Sequence, residues 1–150
     1  MPILTVNETI GDFTHFYKFD FTDLIAIGNG GYRTILTLPA GAAVDLCSII
    51  KTTQVAGSSS LVLDIGVSGT DGAFISAWDA DAATTGLMVS NTGGDFVQVA
   101  GNTTIKGGST PVRAVSTATA IRLKVTDAAV ASITAGAFTV GFRVLNLARL

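Results

Sequence analysis

Apolar and polar residues alternate with a period of two along several short stretches of the chain. The pattern is clearest in AIRLKVT at 120–126 and AFTVGFRV at 137–144. It recurs in HFYKFDF at 15–21 and LVLDI at 61–65. Because successive side chains of a β-strand point to opposite faces, this period predicts half-buried strands rather than helices. Only two segments, 73–86 and 127–136, are compatible with a helical turn, the first with Asp79 as its N-cap.

Glycine-rich breaks separate these predicted strands. Glycine adopts positive φ without steric cost, so such clusters are typical of turns. Short strands separated by turns indicate an all-β sandwich or barrel. The sequence therefore predicts a single all-β domain over residues 1–150, a jelly-roll-like β-sandwich. The breaks lie at residues 28–31, 39–41, 56–60, 91–94 and 106–110.

The composition narrows the class of protein. Hydrophobic residues make up 48% of the 150, charged residues only 13%, and mean hydropathy is +0.54. A free surface normally carries more charge, so this favours a subunit that buries surface against partners. Apolar runs are too short for a membrane span, and the N-terminus has no signal-peptide pattern. Net charge is −2 with scattered basic residues, which argues against nucleic-acid binding.

The stretch from Leu61 to Gly86 looks most like a chemical site, because it holds four aspartates among glycines and hydroxyls. Read as an EF-hand loop from Asp79, it places Ala83, Thr84 and Ser90 where an acidic ligand, a glycine and a glutamate are needed. A different calcium site, built from Asp71, Asp79 and Asp81, stays open. The simpler interpretation is a strand followed by solvated turns, with no metal bound.

Catalytic motifs are weak elsewhere. The sequence GVSGT has Thr70 in place of the second glycine of a nucleophile elbow. His15 is the sole histidine and Cys47 the sole cysteine, so neither a zinc site nor a disulfide can form from these alone. We therefore expect no catalytic residues, no cofactor, no metal and no enzymatic activity.

Aromatic residues offer a second kind of site. Trp78 beside Asp79, with the phenylalanines and tyrosines of 13–32, would form a sugar-binding platform if exposed. Alternating aromatics are more often the core face of a strand.

Residues 34–145 resemble a known family in the order of their elements. A strand ends in LPAG, a longer strand follows, and an LVLDIG strand precedes an Asp-Gly pair; two closing strands are joined by TAG. This order resembles the decoration or cement proteins of tailed-bacteriophage heads. The resemblance implies a jelly-roll or sandwich domain, a homotrimer, the major capsid protein as partner, and a virion location after assembly in the host cytoplasm. It implies no catalytic or ligand residues.

The two ends of the chain are apolar, and we interpret them as a candidate interface. Residues 1–12 form a candidate N-terminal arm, and VLNLARL at 144–150 is expected to continue past the last strand. The alternative is that both ends complete a sheet edge of their own subunit. The expected function is a non-enzymatic decoration protein that stabilises the head; the alternative is a carbohydrate- or receptor-binding module on a virion. The candidate interface residues are Pro2, Ile3, Leu4, Val6, Leu145, Leu147 and Leu150.

Overall fold

The computed structural model describes residues 13–90, 92, 98–99, 103–104 and 115–147. These residues contain ten strands, one α-helix and one 3-10 turn. In chain order the elements are β1 (His15–Asp20), α1 (Phe21–Ile27), β2 (Tyr32–Leu38), β3 (Ala42–Ala56), β4 (Val62–Val67), β5 (Thr70–Asp79), β6 (Met88–Ser90), β7 (Gln98–Val99), β8 (Thr103–Thr104), β9 (Thr119–Thr126), a 3-10 turn (Val130–Ser132) and β10 (Ala135–Asn146).

The strands form two four-stranded antiparallel sheets that pack face to face. The first sheet has the order β1-β10-β3-β6 and the second has the order β2-β9-β4-β5. Among the described residues, the short strands β7 and β8 pair with each other. The chain changes sheet at almost every connection, so each half of the sandwich depends on residues far apart in sequence. The predicted all-β sandwich is confirmed.

Strand β9 shows the predicted alternation in full. Ile121, Leu123 and Val125 are completely buried, while Arg122 and Lys124 between them are partly exposed. Strand β10 runs further than the sequence indicated, because Leu145 pairs with Ala43 and Asn146 pairs with Ala42. The first three residues of VLNLARL, which was expected to continue past the last strand, therefore belong to β10.

A short helix replaces the end of the first predicted strand. Phe21, read from sequence as a strand residue, begins α1. The Asp20 carboxylate accepts hydrogen bonds from the backbone N–H groups of Thr22 and Asp23, and the Asp23 side chain accepts one from the backbone of Asp20. This reciprocal capping satisfies donors that a helix start leaves unpaired. Leu24 is fully buried and holds the helix against the sandwich.

The helical turn considered for residues 73–86 is a single turn after β5. Residues 73–79 belong to β5, and the Asp79 carbonyl then accepts a hydrogen bond of 3.0 Å from the N–H of Ala83, four residues on. The Asp79 carboxylate accepts one of 2.9 Å from the N–H of Ala82, as expected of an N-cap residue. The second ambiguous segment holds only the 3-10 turn before β10.

Aromatic side chains join the two sheets in the core. The rings of Phe19 and Phe138 are stacked with centroids 5.1 Å apart, and Trp78 of the second sheet meets Phe138 edge-on at 6.0 Å. Phe74 meets Phe142 edge-on at 6.4 Å. Edge-to-face and offset contacts at these distances add to the stabilisation from burial.

The replacement Phe138→Ala is expected to lower the free energy of unfolding by about 3–5 kcal/mol, because it leaves a cavity where three aromatic rings meet. Phe16→Ala, at a side chain 48% exposed, serves as the control and should cost clearly less. Urea unfolding followed by tryptophan fluorescence measures both. Equal losses for the two variants would contradict the assignment of Phe138 to the centre of the core.

Candidate interaction surfaces

The outer face of the second sheet carries a cluster of charges centred on Asp71. The Asp71 carboxylate accepts hydrogen bonds from Lys124 Nζ at 2.9 Å, from the Tyr32 hydroxyl at 3.1 Å and from an Arg122 terminal nitrogen at 3.4 Å. The Arg122 guanidinium also lies 4.3 Å from the centre of the Tyr32 ring. We call these four residues the Asp71 cluster. They come from three strands, β2, β5 and β9, which the sheet order brings close together.

The cluster holds its charges in fixed protonation states. The hydrogen bond from Lys124 lowers the pKa of Asp71; burial opposes this, while Tyr32 and Arg122 act in the same direction. The same contact raises the pKa of Lys124. A carboxylate engaged by three donors is poorly suited to proton transfer, so the cluster is a cross-strand brace and not a catalytic group.

Other carboxylates also bind groups of their own chain. Asp23 contacts Arg33 at 2.6 Å, and Asp45 binds Arg143 through both oxygens at 2.6 and 2.8 Å. Asp64 accepts a hydrogen bond of 2.7 Å from the backbone of Ala77, which has a positive φ of 47°.

Asp127 also binds groups of its own chain. It accepts hydrogen bonds from the Ser58 and Ser60 hydroxyls and from the backbone of Ala129. Burial alone would raise the pKa of Asp127, but these hydrogen bonds outweigh it and lower the value.

The candidate calcium ligands are not brought together. Asp71 belongs to its cluster, whereas Asp79 stabilises the turn after β5. Within the part of the chain that the structure describes, no group of three or more His, Cys, Asp or Glu side chains could hold a metal ion. Within the stretch from Leu61 to Gly86, Asp71 and Asp79 therefore have separate structural roles.

Lys51 is a buried charged residue that the sequence patterns did not single out. Its side chain is fully buried, and Nζ donates to the carbonyl oxygens of Ala80 and Asp81 at 2.8 and 2.9 Å. Burial lowers the pKa of Lys51, although the nearby Asp81 and Asp79 charges oppose the shift. Its own carbonyl accepts from Gly86 N–H at 2.8 Å. Lys51 therefore fixes both ends of the connection between β5 and β6.

His15 and Cys47 cannot act as a catalytic pair. Both are opposite Phe142, from the two strands that flank β10, so about 10 Å separates their positions in the sheet. The His15 ring nitrogen Nδ1 lies 2.8 Å from the Thr14 hydroxyl. Cys47 is buried, and burial raises the pKa of its thiol well above the ordinary value. A nucleophile and its base need to be within hydrogen-bond reach.

Trp78 takes the core position that the alternating aromatics favoured, and not a place on an exposed sugar-binding platform. Trp78 is only 9% exposed, and its ring packs on Phe138 in the core. The alternation that placed aromatics on one face reflects the interior of the sandwich.

The middle of the outer face of the first sheet carries little charge, although the Arg143–Asp45 ion pair lies next to it. Two rows of paired residues cross its four strands, and Lys18 is the one charged residue among their eight members. Phe16 at the β1 edge is 48% exposed and Met88 at the β6 edge is 52% exposed. The first row is Phe16, Gly141, Ser48 and Ser90; the second is Lys18, Thr139, Ile50 and Met88.

The candidate interface residues at the two termini are placed only in part. Leu145 is half-buried within β10, and the backbone N–H of Leu147 donates to Gly41 O at 2.9 Å. Leu147 is also partly buried against the core. Pro2, Ile3, Leu4, Val6 and Leu150 lie outside the described residues.

The fold is shared with a chain of a solved phage capsid. No family model matches the sequence, and no curated protein matches it. A chain of the cyanophage Pam1 capsid asymmetric unit superimposes with a TM-score of 0.56 at 19% identity, covering 86% of this chain and 79% of that one. A chain of the acidic stable capsid structure of Helicobacter pylori bacteriophage KHP30 gives 0.45 at 14% identity, covering 87% and 90%. The likeness to the Pam1 chain establishes a common fold. No helix among the described residues is long and apolar enough to cross a membrane.

Replacing Lys51 by methionine is expected to lower the free energy of unfolding by about 1–3 kcal/mol, because the buried carbonyl of Ala80 loses this donor, while Asp81 O still accepts from Gln54 Nε2 at 3.2 Å. The matched control is Lys18→Met, an exposed lysine of the same sheet, which should change stability by less than about 0.5 kcal/mol. Chemical denaturation measures both. A Lys51→Met protein as stable as the control would show that Lys51 does not hold the connection.

The Asp71 cluster predicts an acid-sensitive stability. Because the folded pKa of Asp71 lies below its unfolded value of about 3.9, its contribution is complete above that pH and is lost as the pH falls through the folded value. Asp71→Asn should therefore flatten the fall in unfolding free energy below about pH 4. At pH 7 it should cost about 1 kcal/mol or less, since the pairs are partly exposed.

Urea titrations at pH values from 7 down to 2.5 measure this dependence. Lys124→Met removes the donor that lowers the pKa of Asp71 most, so it should flatten the same curve. If both variants kept the full acid dependence of the parent protein, the cluster would not be its source.

Proposed function

We propose that this protein is a non-enzymatic virion structural protein that binds the outer surface of a phage capsid as a decoration or cement protein and stabilises the head. The observation that carries the proposal is the common fold with a chain of the Pam1 capsid asymmetric unit over 86% of this chain. The engagement of Asp23, Asp45, Asp64, Asp71 and Asp127 by groups of their own chain supports a non-catalytic role.

The strand order supports a jelly roll as the form of the sandwich. A jelly roll has eight strands in two sheets formed by two Greek keys. Apart from the short pair β7-β8, the described strands number eight. They form the sheets β1-β10-β3-β6 and β2-β9-β4-β5, in which the first and last strands pair with each other. Jelly rolls are frequent in viral capsid proteins. The architecture is therefore compatible with a shell-associated role.

The proposed partners are further copies of this chain, as a homotrimer, and the major capsid protein. Charged residues make up 13% of the chain, and ion pairs such as Asp23–Arg33 and Asp45–Arg143 use them internally. Few charges are then left to keep a free surface hydrated. A specific interface buries about 800 Å² per partner, and a trimer binding a lattice gains avidity from three linked contacts. The apolar residues at both termini are proposed contacts in this assembly.

A receptor- or carbohydrate-binding module is the weaker candidate. Its main support in the sequence was an exposed Trp78, and that ring is buried. Tyr32 is exposed, but its hydroxyl and ring are engaged by the Asp71 cluster.

The proposal predicts that the purified protein binds assembled capsids that lack it and raises the temperature at which they release their contents. Co-sedimentation measures binding, and a dye that reports released nucleic acid measures stability. Capsids already carrying their full complement of this protein are the control and should take up none. Failure of the intact, folded protein to bind depleted capsids would reject the decoration role.

A deletion tests the contribution of the N-terminal residues. Removing residues 1–6 should weaken capsid binding, since it removes four of the seven proposed contact residues. Circular dichroism confirms the fold of the variant, and its binding is then compared with that of the full chain at equal concentration. Unchanged binding would remove these residues from the capsid contact.

A further inference from the structure

The turn after α1 contains the only Asn-Gly pair in the sequence, Asn29–Gly30. The other asparagines are followed by glutamate, threonine or leucine. An asparagine deamidates when the backbone nitrogen of the next residue attacks its side-chain Cγ, and glycine hinders that attack least because it has no side chain. Asparagine is also among the thermolabile residues of proteins. The pair is therefore the position in this chain at which deamidation is chemically easiest.

Both of the groups that would react are bound to the end of β9. The Gly30 N–H donates to Val125 O at 2.7 Å, and Asn29 Oδ1 accepts from Asp127 N–H at 2.9 Å. Attack on Cγ requires the Gly30 nitrogen to give up its proton and the Asn29 side chain to turn back towards its own main chain. Both hydrogen bonds to β9 and its extension must therefore break before the reaction begins.

Asp127 is held in place by two further segments of the chain. It is only 2% exposed, and its carboxylate accepts hydrogen bonds from the Ser58 and Ser60 hydroxyls and from Ala129 N–H. These bonds position the backbone N–H that donates to Asn29. The serine loop and the segment after β9 thus help to keep the Asn29 side chain away from the reaction.

The rest of the turn is held by backbone hydrogen bonds alone. Gly31 N–H donates to Gly28 O at 3.0 Å, and Gly31 O accepts from Val125 N–H at 3.1 Å. Asn29 and Gly30 are exposed, and none of residues 28–31 belongs to the buried core. Segments with few buried apolar contacts open at a smaller free energy than the whole domain. Detachment of this turn from β9 therefore does not require the sandwich to unfold.

We propose that Asn29 is a site of spontaneous deamidation, which proceeds through local opening of the turn at residues 28–31. The Gly30 nitrogen loses its proton and forms a bond to Asn29 Cγ, and the side-chain amide leaves as ammonia. Water then opens the resulting succinimide ring at either of its carbonyl groups and gives aspartate or isoaspartate. The net change consumes a water and releases an ammonia, and it needs no oxidant, reductant or enzyme.

The modified turn no longer fits its contacts on β9. In isoaspartate the main chain runs through the former side chain and is longer by a methylene, so the bonds to Val125 and Asp127 cannot both be kept. A carboxylate at position 29 would also lie at the N–H of Asp127, whose own carboxylate is buried, and like charges at short distance repel each other. We expect the modified protein to elute as a more acidic species on ion exchange and to unfold at a lower temperature than the parent.

Peptide mapping by mass spectrometry tests the site. The folded protein is incubated at mildly alkaline pH and digested with trypsin, which releases Asn29 as the one asparagine of peptide 19–33 by cleavage after Lys18 and Arg33. We expect this peptide to gain the mass that replaces an amide by a carboxyl group, ahead of the peptides with other asparagines. A sample that was not incubated corrects for changes during digestion.

Asn29→Gln is the control for this measurement, because the longer side chain forms the corresponding ring much more slowly. Its peptide 19–33 should keep its mass over the same incubation. Deamidation that is faster at another asparagine, or that is absent at Asn29, would overturn the inference.

The dependence of the rate on urea separates local opening from global unfolding. Below the unfolding transition the rate should stay constant, because opening of one turn exposes little new surface. In the unfolded protein it should be higher by about tenfold or more, since the bonds to Val125 and Asp127 are gone. A rate that rises at low urea with the slope of global unfolding would reject local opening, and equal rates in the folded and unfolded protein would reject the protection by these bonds.

Asp127→Ala tests whether the segments around Asp127 restrain the turn. It removes the carboxylate that Ser58, Ser60 and Ala129 hold but keeps the backbone N–H, so Asn29 should deamidate several-fold faster. Asp79→Ala removes a carboxylate that binds a backbone N–H elsewhere, and as the matched control it should leave the rate unchanged. Circular dichroism establishes that both variants are folded. Equal rates in the two variants would contradict the role of Asp127, and if Asp127→Ala does not fold, the urea dependence of the parent protein decides.

Discussion

The contact of Phe138 with Phe19 and Trp78 is the interaction on which the rest of the structure depends. Phe138 lies on β10, which pairs with β1 on one side and β3 on the other, and its ring meets Trp78 from the opposite sheet. One side chain thus links three strands and both layers. Large aromatic rings bury more area than any other side chains, so this contact fixes the spacing of the sheets. It also removes Trp78 from the surface, and with it the basis for a sugar-binding site.

A second constraint is the small number of charges, and the fold uses them mainly to hold itself together. The Asp71 cluster braces three strands of the second sheet, the Asp23–Arg33 pair joins α1 to β2, and Lys51 holds the connection before β6. As a consequence, the two outer faces differ in character. The second sheet presents a neutralised polar face, whereas the first presents Phe16 and Met88 with little charge between them.

The sequence predicted what depends on neighbouring residues and missed what depends on distant ones. The alternation of apolar and polar residues predicted β9 because buried and partly exposed side chains alternate along that strand. Helix α1 was missed because its seven residues follow directly on an alternating strand, although the pair Asp20 and Asp23 at N-cap spacing was a readable signal. The Asp71 cluster could not be predicted, since Tyr32 and Lys124 lie 39 and 53 residues away from Asp71. Their meeting depends on strand order, which no local pattern contains. The same holds for Lys51, whose carbonyl partners lie 29 and 30 residues further along the chain.

The edges of the sandwich limit the ways in which copies can associate. Open strand edges invite pairing with other chains, and proteins usually shorten, cover or distort them. Strand β6 has only three residues, and β5 contains Ala77 at positive φ, whose N–H is bound by Asp64. Near β1 and β2, Arg33 reaches both Asp23 and the Tyr17 hydroxyl and draws α1 across that side. Strand-to-strand pairing between subunits is therefore poorly supported at these edges. Association through side chains on the outer faces of the sheets is compatible with all of these features.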